Sequence, residues 1–90
     1  MNIFTLTGVL VDVDDYREKL LFAGCDLDQA EEAIRNFLAA DKRSCYRVFE
    51  LHVQEWECGK CAYETSVLCA DKKPEQAKEI IKQIKWDLQL

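Results

Sequence analysis

Cys58-Gly59-Lys60-Cys61 is the one recognisable chemical motif in the sequence. Zinc sites use Cys-x-x-Cys because two thiolates on one tight turn reach a single tetrahedral ion, and a closed site takes four ligands. His52 precedes Cys58 by six residues, roughly 20 Å along an extended strand, and Cys69 is further still. One chain therefore offers two ligands, and closing the site asks two chains to bring their turns together, at about half an ion per chain. A redox Cys-x-x-Cys normally opens a helix, whose N-terminus lowers the thiol pKa. This motif falls between strands, so the redox reading is weaker, and ordinary hairpin cysteines are the plainest reading of Cys58 and Cys61.

Catalytic signals are thinner. His52, the only histidine, and Cys69 are candidate diagonal neighbours on one sheet face, a loose Cys–His pair without a third group. Asp12, Asp14 and Asp15 look like half a calcium loop, but the Gly and distal Glu that such a loop needs are missing. Gly8, Gly24 and Gly59 are isolated, so no glycine-rich loop cradles a phosphate. The sequence therefore predicts no catalytic residues and a protein that is not an enzyme, with a thiol-dependent enzyme as a minor alternative.

The elements that must position these residues belong to a single domain over 1–90. The chain has 90 residues, 49% of them hydrophobic, with 12 basic and 17 acidic side chains and a net charge of −5. That apolar content separates it from a disordered acidic tail. No stretch approaches the roughly 18–20 apolar residues of a membrane span. The opening MNIFTLTGVLVDVDD has no basic leader, and five cysteines form an odd set, so the expectation is a cytoplasmic chain with reduced thiols. Residues 1–41 hold 9 acids and 3 bases, a net of −6, whereas residues 42–90 hold 8 acids and 9 bases, a net of +1. The bases form no stripe, which argues against direct nucleic-acid binding.

A shift of 47 aligns the two halves: Tyr16 with Tyr63, Asp28-Gln29-Ala30 with Glu75-Gln76-Ala77, and Glu32 and Ile34 with Glu79 and Ile81. Each half reads strand, turn, strand, helix. In the first unit (1–41), NIFTLTGVLV and Tyr16–Gly24 are the strands, Asp26 and Gln29 are spaced as a capping box, and Leu27, Ala30, Ile34, Phe37 and Leu38 mark one helical face to about Asp41. In the second unit (45–90), Tyr46–Glu57 and Ala62–Ala70 are the strands and Gly59-Lys60 is a two-residue type II′ turn. Pro74 then starts a helix whose apolar face is Ala77, Ile81, Ile84 and Leu88. The expected fold is α+β, ββαββα, with a four-stranded, mainly antiparallel sheet and both helices on one face.

The Gly59-Lys60 turn would pair Cys58 with Cys61, Trp56 with Tyr63, His52 with Val67 and Glu50 with Cys69. It gives the helices a bed of Phe49, Leu51, Val53 and Leu68, acidic towards the tip at Glu55, Glu57 and Glu64. The opposite face then carries Val48, His52, Trp56, Tyr63, Val67 and Cys69, joined by Ile3, Val9, Leu20 and Phe22. Trp86 lies off the helical stripe, either at the core edge or in a contact. A sheet covered on one side should alternate apolar and polar, so apolar groups on both sides predict a second chain over the open one, either another copy in a homodimer or a partner protein.

The function expected is a non-enzymatic acidic protein-binding module, an inhibitor or adaptor acting on a basic or nucleic-acid-handling protein. Trp56, Tyr63 and Phe22 are the expected contact, and Asp12, Asp14, Asp15, Glu31 and Glu32 the negative surface that attracts the partner. Size and charge match the profile of small phage or mobile-element inhibitors, CRISPR inhibitors among them; no motif carries that analogy. The alternative is a structural homodimer linked by zinc through Cys58 and Cys61. No cofactor other than that zinc, and no membrane partner, is expected.

Overall fold

The computed structural model describes residues 2–39 and 48–90. Strands β1 (Ile3–Val11) and β2 (Tyr16–Gly24) form the first hairpin, and a 3-10 turn at Leu27–Ala30 leads into α1 (Glu31–Leu38). Strands β3 (Val48–Glu57) and β4 (Lys60–Leu68) form the second, and a 3-10 turn at Pro74–Gln76 leads into α2 (Ala77–Asp87). The strands make one antiparallel sheet in the order β2-β1-β3-β4. This is the ββαββα α+β fold that the patterning predicts. Tyr46 as a strand start, Asp41 as a helix end and Cys45 lie outside the described residues.

The repeat has a geometric counterpart. Leu6 pairs with Val53, the residue 47 positions on, so the central β1–β3 ladder maps onto itself about that pair. Each helix is entered through a 3-10 turn that begins at equivalent positions, Leu27 and Pro74. The two starts are capped differently. Asp26 accepts a hydrogen bond from the Asp28 N–H at 3.0 Å, whereas Lys73, its equivalent, donates its own N–H to Gln76 Oε1 at 2.8 Å. Such caps each stabilise a helix start by about 1 kcal/mol.

Both helices bury their stripes on the same side of the sheet. Leu27, Ala30, Ile34 and Leu38 meet Ala77, Ile80, Ile81, Ile84 and Leu88 over Phe4, Leu6, Phe49, Leu51, Val53, Val67 and Cys69. Ala30 and Ala77, equivalent in the repeat, are both fully buried where each turn passes into its helix. The Phe37 ring stacks on Phe49 with centroids 4.4 Å apart and lies over Gly8, where a Cβ would stand 2.5 Å from the ring. Only glycine accepts that close an approach. Glu55 is the one buried charged side chain among the described residues; one carboxylate oxygen accepts from Asn2 Nδ2 and the other has no partner among them.

Two bulges, both on edge strands, set the side-chain directions. Between Leu6/Phe22 and Thr7/Leu20, β2 carries an extra residue, Leu21; between Glu55/Tyr63 and Trp56/Cys61, β4 carries an extra residue, Ala62. The second hairpin also turns one residue earlier than its sequence suggests. Cys58 and Gly59 have φ of +53° and +79°, the two positive values of a type I′ turn, and Glu57 pairs with Lys60. Its twist matches that of the flanking strands, which favours it even with a cysteine in the left-handed region.

The expected pairings are corrected accordingly. His52 faces Ser66, Glu50 faces Leu68, Trp56 faces Cys61, and Tyr63 faces Glu55. A one-residue slip moves a strand's side chains to the other face. Val67 and Cys69 therefore enter the core, while Leu68 stands 68% exposed on the open side. Leu21 does the same to Phe22, which pairs with Leu6 and packs against the core, its ring over Gly24.

Candidate functional site: the open face of the sheet

The register reads the open face as rows that cross the strands. Leu68, Glu50, Val9 and Glu18 form one; Ser66, His52, Thr7 and Leu20 the next; Glu64, Gln54, Thr5 and Ala23 the third; Cys61, Trp56 and Ile3 the last, at the β3–β4 turn. Val48, Val11 and Tyr16 close the far end. No described helix covers these rows, since both pack on the other side. Ile3, Tyr16, Leu20 and Leu68 are between 51% and 68% exposed. They are four of the eight exposed large apolar side chains among the described residues, which concentrates the exposure on one surface.

Polar contacts order this face. Trp56 is half-buried and donates its indole N–H to Thr5 Oγ1 at 2.9 Å. His52 Nε2 lies 3.4 Å from Glu64 Oε2. The Tyr16 hydroxyl donates to Glu18 Oε1 at 2.6 Å. That bond, with slight desolvation and the negative fields of Glu18 and Glu50, holds the phenol above its ordinary pKa. Glu18 and Glu50 stand on either side of Val9, which is only 6% exposed.

The sequence-expected site residues do not gather. Trp56 is on the open face, Tyr63 is on the helix side near the turn and 62% exposed, and Phe22 packs against the core. Asp12, Asp14 and Asp15 lie in the β1–β2 turn, where the Asp12 N–H donates to the Asp15 carbonyl at 2.8 Å and Asp15 Oδ2 pairs with Arg17 Nε at 2.6 Å. Glu31 and Glu32 are in the first turn of α1, with Glu31 bonded to Arg35 at 2.6 Å. Trp86 is 84% exposed on α2, away from the core. Tyr16, Glu18 and Glu50 are open-face residues that the sequence reading leaves out, and Leu68 and Glu64 are ones it places on the helix side; the alternation of Tyr16, Glu18 and Leu20 is a readable signal for three positions on one face.

The thiols divide by environment. Cys58 and Cys61 are exposed, Cys58 in the turn and Cys61 at the edge of the open face, where its sulfur accepts from Gln54 Nε2 at 3.7 Å. Among the described residues no three His, Cys, Asp or Glu side chains are placed to share a metal ion. Cys69 is buried and donates to the Val67 carbonyl at 3.3 Å; burial pushes its thiol up to about 11. His52 is on the opposite face from Cys69, so the Cys–His pair suggested by the sequence does not form. An indentation of about 360 Å³ between β2 and α1 is lined by Leu10, Leu21, Ala33 and Phe37 with Lys19 and Asn36 at its polar side. Among the described residues no helix is long and apolar enough to cross a membrane. No protein-family model, no curated protein and no solved structure matches the chain.

Proposed function

We propose that this chain is a non-enzymatic protein-binding module, an inhibitor or adaptor, and that it docks through the open face of its sheet. One observation carries the reading: Ile3, Tyr16, Leu20 and Leu68 stand exposed on a single surface that no described helix covers. Covering a Leu or Ile side chain contributes roughly 1.5–3 kcal/mol when burial is complete, so Ile3, Leu20 and Leu68, with the Tyr16 ring beside them, supply a sizeable part of a specific interface. Trp56, held to Thr5, gives that surface a pre-ordered aromatic. Burial of the Cys69 thiol, away from His52, leaves the thiol-enzyme reading without its pair.

Site-specific photo-crosslinking in the source cells tests this. A photoreactive residue at Leu20 or Leu68 should give one discrete protein adduct, and the same residue at Gln83, on the exposed side of α2, should give none. Equal adducts from both layers, or adducts from α2 alone, would overturn the assignment.

A further inference from the structure

We propose that the open face receives a segment of another protein bearing lysine or arginine, with its cation between Glu18 and Glu50 over Val9 and its apolar neighbours against Leu20 and Leu68. The inference rests on the docking reading above and adds the partner's chemistry. Glu50 and Glu18 are the cross-strand neighbours of Val9 on its two sides, so their backbones are two strand spacings apart, about 10 Å. The Tyr16 hydroxyl is bonded to Glu18 and also lies in the field of Glu50. Glu18 and Glu50 thus flank an apolar floor, Val9, with the Tyr16 hydroxyl bonded to Glu18, Leu68 at the end of the same row and Leu20 in the next.

Among the described residues this face lacks the countercharge. Among the described strand residues the bases are Arg17, Lys19 and Lys60, which pair with Leu10, Gly8 and Glu57 and so belong to the helix side. On the open side the described charged groups are Glu18, Glu50 and Glu64, with His52 beside Glu64. A second copy docked with its Glu18–Val9–Glu50 row on this one would set carboxylates against carboxylates, which opposes that arrangement. A basic amphipathic segment meets the apolar and the acidic features together, and charge-assisted bonds to carboxylate are the stronger class of hydrogen bond.

The test is an NMR titration of the full chain with three synthetic amphipathic peptides of identical leucine pattern, whose polar positions are Lys, Gln or Glu. The Lys peptide should shift the amides of Val9, Glu18, Leu20, Glu50 and Leu68. It should bind about tenfold more tightly than the Gln peptide, and this advantage should vanish in the Glu18→Gln/Glu50→Gln variant. The amide spectrum of that variant reports its fold directly, and Glu31→Gln, on α1, should keep the advantage. Equal binding of the Lys and Gln peptides on the open face would overturn the basic partner while leaving the docking reading standing. Lys-peptide shifts at Asp28, Glu31 and Glu32 in place of the open face would overturn the seat, as would open-face shifts that track protein concentration without any peptide. Absence of open-face shifts with all three peptides would overturn this proposal, and the crosslinking contrast would still decide the docking reading.

Discussion

The two faces of one sheet differ in what covers them. On the helix side, Leu6, Phe49, Leu51, Val53, Val67 and Cys69 are at most 2% exposed and meet the stripes of α1 and α2. On the open side the same sheet presents Ile3, Tyr16, Leu20 and Leu68 at 51% or more exposure, interleaved with glutamates. Leu51 and Leu68 are both sheet leucines; position relative to the pleat decides that one holds the fold and the other is available to a partner. Residue type alone does not separate core from exposed surface in a chain this small.

The largest expected effect follows from that pair. Leu51→Ala removes methyl groups from a fully packed site and should cost about 2–5 kcal/mol, whereas Leu68→Ala should stay within about 0.5 kcal/mol in the isolated chain. Urea unfolding of both variants measures the contrast. Similar losses at the two positions would mean that something already covers the open face.

Cys69 sharpens the comparison through pH. Burial raises its thiol from an ordinary 9.0 to about 11, so the folded chain favours the neutral form. The resulting stability is complete below about 9 and is lost as pH rises through about 11, because the unfolded thiol ionises first. The urea midpoint should fall between pH 8 and pH 10.5, and fall less in Cys69→Ala. Identical alkaline slopes in the two chains would place Cys69 outside the core.

The smallest effects belong to the second turn. Gly59→Ala should cost about 1 kcal/mol, because Gly59 sits at φ +79°. Cys58→Asn should be neutral or stabilise by a few tenths of a kcal/mol, since Asn tolerates the left-handed region that Cys58 occupies at φ +53°. A clear loss of thermal stability in Cys58→Asn would favour the turn at Gly59-Lys60 instead.

Much of the fold was legible because its signals are local. Helical spacing of Ile34 and Leu38, and of Ala77, Ile81 and Ile84, locates both stripes, and Asp26 marks the first helix start. The candidate site was less legible, because facing depends on register, and register here depends on two bulges. Leu21 and Ala62 have neither glycine nor a polar side chain to announce them. The run Leu20-Leu21-Phe22 held a trace, since three apolar residues in a row cannot alternate; the structure sends Leu20 outward and packs Leu21 and Phe22 against the core. In β4, the turn position together with the bulge at Ala62 moved Tyr63, Val67 and Cys69 to the helix side and brought Leu68 and Glu64 to the open one.

The most direct test of the division between the faces is a single substitution read twice. Leu68→Asp should leave the melting temperature of the isolated chain unchanged within about 2 °C, as expected for an exposed position. The same substitution should abolish the adduct formed by a photoreactive residue at Leu20 in the source cells. A chain that melts normally and still forms the adduct would contradict the assignment of the open face as the docking surface.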